Sequence, residues 1–448
     1  MKKNDIISIT IDGLTIKGDG YATYNNLTIY IPNTLPQEQV KIKILKINPK
    51  HAFAKCLQVI SPHPLRHSPQ CKIATQCGGC QLLHHHYNDH LNWKQSQLKH
   101  LFPNDNVLSI KPSPDQFGFR NKGQFAFQYH PKHGIQLGLY ARASHRVIDT
   151  ENCDIQHSHI NDVLKLTRSF FKQHPLTCYD DISKTGLLRY LVIRTTLTNQ
   201  TMVILVTTSP HISHLDLFVS TLKRLNHIKS IYLNVNTSIT DKILSNNLIL
   251  LWGNQTIEEK FNQTRFRISP HAFFQLNSKQ AYQLYNDIKL IINTVNPKHI
   301  LDLYCGTGTI GLFTTDKSIS LTGIELNKNA IEDAVFNAKL NDQNDGMFLQ
   351  GKAEKIYPTL KVSPDCVILD PPRKGCDHIV LQTLNQHLPN TIIYVSCNPQ
   401  TLQRDLDYLY PQYEIIQIQP YDMFPFTPHI EVMVVLKRNG IANRDINN

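Results

Sequence analysis

His299-Ile300-Leu301-Asp302-Leu303-Tyr304-Cys305-Gly306-Thr307-Gly308-Thr309-Ile310-Gly311 is the stretch on which the fold turns. A short apolar run, the signature of a buried strand, enters a glycine-rich turn and leaves it as a helix. Gly306, Gly308 and Gly311 satisfy G-x-G-x-x-G, which alone is a weak signal and could mark any tight turn. The next apolar run, Leu321-Thr322-Gly323-Ile324-Glu325, ends in an acid. An acid at the end of the second strand can accept hydrogen bonds from both ribose hydroxyls of a nucleoside.

Two further strand ends lie downstream. Ile368-Leu369-Asp370-Pro371-Pro372-Arg373 places a carboxylate and a stiff backbone at a strand terminus. Ile392-Ile393-Tyr394-Val395 leads into Ser396-Cys397-Asn398-Pro399, where Asn-Pro breaks the strand and starts a turn. Open α/β sheets bind ligands beyond the carboxyl ends of their strands, so Asp370 and Cys397 belong at the rim. Asp302, Cys305 and the Asp-Pro-Pro end favour S-adenosylmethionine over a dinucleotide. Taken alone, Cys397 reads as a buried structural cysteine; at a cofactor rim it is a candidate nucleophile. The last strand begins at Glu431, within His429-Ile430-Glu431. That carboxylate is either a solvated strand end or a general base.

The 448 residues allow two to four domains with full cores. Hydrophobic residues make up 41%, and no segment approaches the roughly 18 consecutive apolar residues of a membrane helix. No secretory signal is read at the start, so a cytoplasmic location is expected. An excess of 46 Lys and Arg over 35 Asp and Glu favours a polyanionic partner. Ten cysteines in such a chain point to metal binding or catalysis rather than a disulfide framework.

Residues 1–62 hold short alternating runs separated by turn signals, which predicts a small β-barrel. Its lysines Lys41 and Lys43 suit RNA phosphate as well as they suit a solvated face. Pro62, Pro64 and Pro69 predict an extended linker. Cys71, Cys77 and Cys80 follow as C-x5-C-x2-C, with Cys153 as a fourth ligand, a set that fits [4Fe–4S] or zinc. His84, His85 and His86 are expected at the surface ahead of a helix from Gln95 to Phe102. Phe125, Phe127 and Tyr129 read as core, and Arg120 and Lys122 as RNA contacts. Strands and a helix between residues 161 and 265 read as a scaffold without a catalytic constellation.

These motifs together resemble the RNA (uracil-5-)-methyltransferases of the type that carries an N-terminal TRAM domain and an iron–sulfur cluster. DPPRKG, SCNP and H-x-E in one chain carry the resemblance, which covers nearly its whole length. It implies a multi-domain α/β protein. Residues 1–62 are then a TRAM-like, OB-like β-barrel, and residues 63–265 a central α+β domain with the cluster. Residues 266–448 are then a Rossmann-like class I methyltransferase domain. By resemblance Cys71, Cys77, Cys80 and Cys153 hold [4Fe–4S], while Gln275, Tyr304, Glu325 and Asp370 contact S-adenosyl-L-methionine. Cys397 is the nucleophile and Glu431 the base. Thr309 departs from some relatives, which carry asparagine there. The implied reaction is methylation of C5 of a uridine in 23S rRNA through a Cys397–C6 adduct. The T-loop uridine of tRNA is the alternative substrate, and an RNA-binding protein with an inactive methyltransferase fold is the alternative class. No membrane and no obligate protein partner are implied.

Overall fold

The apolar runs in the middle of the chain form the strands Leu188–Thr195 and Thr201–Thr207 in the computed structural model, which describes residues 1–361 and 363–440. Successive side chains of a strand point to opposite faces. Leu191, Ile193, Val203 and Leu205 face helices Ser158–Gln173 and Leu215–Leu222. Val192, Met202 and Ile204 face the hairpin Ile257–Phe261/Thr264–Ile268 and the helix Ser278–Val295. With both faces covered, these strands carry no polar alternation. They lie within a seven-stranded sheet in the order Leu248–Gly253, Ile228–Val235, Thr201–Thr207, Leu188–Thr195, Lys122–His130, Gly134–Tyr140, Val147–Asp149. The expected boundary at 265/266 falls inside Thr264–Ile268, in a core shared by the central sheet and the C-terminal region. Residues 441–448 of the expected last domain lie outside the described residues.

The N-terminal strands form one six-stranded sheet in the order Ile6–Thr10, Gln39–Ile47, His51–Ser61, Leu27–Ile31, Gly20–Tyr24, Gly13–Leu14. Three register shifts between Gln39–Ile47 and His51–Ser61 bend it around a core of Ile11, Ile29, Val40, Ile42 and Ala52. Lys41 is exposed between buried Val40 and Ile42.

The expected linker is not free. Arg66 grips the fully buried Glu38 of the N-terminal module, donating from Nη2 to Oε2 at 2.8 Å. Two other expectations are corrected. His84 and His85 are buried, at 5% and 3% exposure, because the segment folds between the N-terminal module and the helix Tyr87–Leu101. Tyr129 is exposed, since the sheet's covered face ends at Phe127. The helix begins a full two turns earlier than Gln95, at Tyr87.

In the C-terminal region the sheet runs Met347–Gln350, Ser320–Glu325, His299–Leu303, Cys366–Leu369, Thr391–Ser396, Glu431–Arg438, Tyr413–Tyr421. The first five are parallel, and Glu431–Arg438 is antiparallel to both its neighbours. The strand order reverses between His299–Leu303 and Cys366–Leu369, the switch point where doubly wound sheets open a ligand crevice. Among the described residues, no helix is long and apolar enough to cross a membrane.

Candidate active site

Five consecutive strands deliver their functional residues to one edge of this sheet. In spatial order these are Glu325, Tyr304, Asp370, Cys397 and Glu431. The first four lie at or just past the ends of parallel strands. Glu431 joins them because its strand runs the other way, so its first residue meets their last. Ser396 pairs with Val432, so Cys397 and Glu431 each adjoin the last paired residues of the two strands, and the Glu431 carboxyl acts electrostatically on the Cys397 thiol.

The turn after His299–Leu303 is built around backbone with positive φ. Tyr304 sits at φ +64°, a conformation uncommon outside glycine and associated with sites that exploit strain. Gly306 and Gly308 follow at +55° and +76°. A Cβ on Gly308 would stand 3.0 Å from Leu312 and 3.3 Å from Ala334, so the turn accepts no side chain there. Glu325 secures the turn from the next strand, accepting from Gly306 N at 3.3 Å and from Asn327 N at 2.7 Å. Gln275, Tyr304 and Asp370 line one cleft together with Tyr285, Asp302 and Thr309. Gln275 is held there by Asn121, whose amide donates to the Gln275 carbonyl at 2.8 Å.

The electrostatics of this cleft favour a cationic ligand. Asp302 is buried, and burial with the nearby Asp370 and Glu325 pushes its pKa up to about 8. Its Oδ2 accepts from Gly311 N at 3.0 Å, while its buried Oδ1 finds no hydrogen-bond partner among the described residues. Burial also raises Asp370, and it raises Glu431 further with Asp370 beside it. Buried carboxylates repelling one another suit a ligand that carries positive charge. S-adenosylmethionine, a sulfonium with an ammonium group, meets that requirement.

Cys397 lies between its strand and the helix Pro399–Leu409, which starts where a turn was expected. Asn398 caps that helix, accepting from Gln400 N at 3.3 Å, with Pro399 in its first turn. A helix N-terminus favours a thiolate. Burial and the charges of Glu431 and Asp370 oppose it and push the thiol up to about 11. Arg373 pulls it down, by charge and by a hydrogen bond. The sequence reading gave Arg373 no role; its place two residues after Asp370-Pro371 was the available signal. The loop that carries it is fastened to the Cys397 turn, since the Arg373 carbonyl accepts from Asn398 Nδ2 at 2.9 Å. The guanidinium also donates to His429 Nδ1 at 3.0 Å. Burial and Arg373 lower His429 to about 4, so its ring is neutral.

This balance has a measurable outcome. In the cofactor-free protein, alkylation of Cys397 by iodoacetamide is expected to keep accelerating as pH rises toward about 11. It should not level off near the ordinary thiol value of about 8.5. Arg373→Ala should move the curve further upward, because the cation that favours the thiolate is gone. Peptide-resolved mass spectrometry separates Cys397 from the other nine cysteines. A plateau at the ordinary value, unmoved by Arg373→Ala, would contradict this account.

The four other predicted cysteines are also brought near one another. Cys71, Cys80 and Cys153 share an apolar cluster with Leu83, Phe119 and Phe426. Cys77 and Cys153 line one cavity with Gly78, Gly79 and Arg120. Burial and the neighbouring thiols push Cys77 up and Cys153 up to about 12. Among the described residues, no three or more His, Cys, Asp or Glu side chains form a group that could hold a metal ion. Arg120 and Lys122, expected to contact RNA, are only partly exposed, and Arg120 stands beside Cys80 and Cys153.

Comparison with known proteins agrees with this geometry. Residues 86–439 match the model of the tRNA (uracil-5-)-methyltransferase family, and residues 2–57 match that of the TRAM domain. An uncharacterized RNA methyltransferase of Halalkalibacterium halodurans is 36% identical over 454 residues, covering 98% of each chain. One of Staphylococcus epidermidis is 36% identical over 450 residues, again covering 98% of each. The crystal structure of Pyrococcus abyssi tRNA (uracil-54, C5)-methyltransferase in complex with S-adenosyl-L-homocysteine superposes with a TM-score of 0.79 at 27% identity. That match covers 96% of this chain and 100% of that one. The chain therefore belongs to the tRNA (uracil-5-)-methyltransferase family and is an S-adenosylmethionine-dependent RNA (uracil-C5) methyltransferase with an N-terminal TRAM domain.

Proposed function

We propose that this enzyme methylates C5 of a uridine in 23S rRNA, with Cys397 as nucleophile and Glu431 as base. The observation that carries the chemistry is the antiparallel pairing of Ser396 with Val432, which brings Glu431 and Asp370 near enough to act on the Cys397 thiol. Uracil C5 is a poor nucleophile. Addition of the Cys397 thiolate to C6 makes C5 enolate-like and able to accept a methyl group. S-adenosylmethionine supplies that methyl on a sulfonium centre, with Gln275, Tyr304, Glu325 and Asp370 as its contacts. Glu431 then takes the C5 proton, the C6–Sγ bond breaks, and Cys397 leaves as thiolate. Positive charge among Asp302, Asp370 and Glu431 lowers all three carboxyl pKa values, which readies Glu431 as a base. The target base must leave its stack to reach this rim.

The choice of 23S rRNA rests on resemblance, through the TRAM domain joined to the four-cysteine lobe. The T-loop uridine of tRNA is a second reading, favoured by the Pyrococcus abyssi neighbour, a tRNA (uracil-54, C5)-methyltransferase. Cys71, Cys77, Cys80 and Cys153 would hold a [4Fe–4S] cluster in a structural role. Domain roles follow the same reading: RNA binding for residues 1–62, cluster support for 63–265 and methyl transfer for 266–448.

Glu431→Gln tests the reading. With total cellular RNA and S-adenosylmethionine it should accumulate a covalent RNA–protein adduct, release being slowed about 10³-fold. Sequencing the trapped RNA should return one 23S rRNA site. A tRNA site would reverse the substrate, and a variant that turns over freely would remove Glu431 from the base role.

A further inference from the structure

A cavity of about 270 Å³ opens at Cys397, lined by none of the residues that line the cofactor cleft. Three distant parts of the chain line it: Ile16 and Lys17 of the TRAM domain, Trp93 of the helix Tyr87–Leu101, and Arg373 with Cys397 from the methyltransferase sheet. The TRAM residues are placed there by a built turn. Thr15 N donates to the Asp19 carbonyl and Gly18 N to the Thr15 carbonyl, both at 2.8 Å. Arg142 pairs with Asp19 at 2.7 Å. Gly18, at φ +74°, lies so close to Leu82 that a Cβ would stand 3.2 Å from it. Leu82 N in turn donates to the Phe426 carbonyl at 2.9 Å, in the segment that leads to His429. The turn tip is thus pinned through Leu82 to the wall of the active site.

What this turn presents is unusual for a rigid surface. Ile16 is 58% exposed, and Lys17 is exposed with no ion-pair partner among the described residues. Trp93 is half-buried and stacked on His90, with ring centroids 6.3 Å apart and planes 27° apart. His90 is fixed against the Thr427 carbonyl at 3.0 Å. An aromatic face, an aliphatic side chain and a free cation around one opening match a nucleotide, whose base stacks and whose phosphate takes the charge. A strand that delivers its uracil to Cys397 must carry the next nucleotide across this mouth.

We propose that this cavity seats the RNA nucleotide adjoining the target uridine, with its base against Trp93 and Ile16 and its phosphate on Lys17. The TRAM domain would then complete the active-site mouth rather than only tether RNA from a distance. The proposal rests on the uridine-methylation reading of the site, and the test separates the two.

The chain has two tryptophans, so Trp252→Phe leaves Trp93 as the sole tryptophan, whose emission is read by exciting at the red edge where tyrosine does not absorb. Unmodified transcripts of 23S rRNA and of tRNA are titrated into this protein. The productive transcript is expected to quench Trp93 emission. Trp93→Ala should weaken its binding about tenfold, read mainly in KM, and Trp93→Phe should restore most of the loss. Lys17→Ala should lower the slope of log affinity against log salt by about 0.7 to 0.9, one phosphate contact. Affinity for S-adenosyl-L-homocysteine should not change in any of these variants. Methylation without quenching, or wild-type KM in both Trp93→Ala and Lys17→Ala, overturns the nucleotide seat and leaves the methylation reading intact. Quenching with no methylation of either transcript overturns the methylation reading and keeps the seat.

Discussion

Cys397→Ala is expected to reduce methyl transfer to RNA by on the order of 10⁶-fold, the scale seen when an enzyme loses its nucleophile. The argument is chemical before it is structural. Without a C6–Sγ bond, C5 never acquires carbanion character, and a well-placed methyl donor has nothing to react with. The remaining machinery stays in place in this variant. Cys397 lies outside the strand, between Ser396 and the capping residue Asn398, and it is only partly buried. The Gly306 turn, Asp302, Asp370 and Gln275 lie on other strands and loops. S-adenosyl-L-homocysteine should therefore bind as to wild type. Two measurements check this: single-turnover transfer of labelled methyl, and calorimetric titration of the cofactor product. Residual transfer within tenfold of wild type would remove Cys397 from the nucleophile role. Loss of cofactor binding would show instead that the cysteine supports the cleft.

Lys94→Ala is expected to lower stability by about 3 to 5 kcal/mol, the cost of leaving one partner of a buried ion pair alone. Lys94 and Asp422 are both fully buried, with Nζ and Oδ1 2.5 Å apart. Lys94 Nζ also donates to the Phe424 carbonyl at 3.2 Å, and Tyr87 OH donates to Asp422 Oδ2 at 2.7 Å. This network fastens helix Tyr87–Leu101 to the segment between Tyr421 and Glu431, which carries His429 and leads to the proposed base. Removing Lys94 strands the Asp422 carboxylate in the interior. The expected readout is a lower melting temperature and faster amide exchange across residues 422–431. The double replacement Lys94→Met with Asp422→Leu should recover most of the loss, because apolar isosteres avoid desolvating two charges. Melting of Lys94→Ala at the wild-type temperature would show that the pair contributes nothing.

The corrected histidines and tyrosine mark where local reading stopped. His84-His85-His86 has no periodicity that separates core from surface, and Tyr129 continues an alternation whose partner helix ends before it. Trp93 and Lys17 carry no motif at all. They matter because chain folding brings a TRAM turn and a helix face to line one cavity with the Cys397 thiol.

The glycine-rich turn, the acidic strand ends at Glu325 and Asp370 and the strand end at Ser396-Cys397-Asn398-Pro399 were all legible in the sequence as positions on one sheet. Their signal is local: a few residues define each strand end or cap, and their order along the chain matches a doubly wound sheet. The meeting of Cys397 with Glu431, the repulsion among Asp302, Asp370 and Glu431, and the shared mouth of the TRAM domain and the catalytic sheet were decided only in three dimensions. An antiparallel insertion beside parallel strands sets which ends coincide, and burial sets how carboxylates and thiols titrate. Both are properties of non-local pairing, which residue spacing along one chain does not encode.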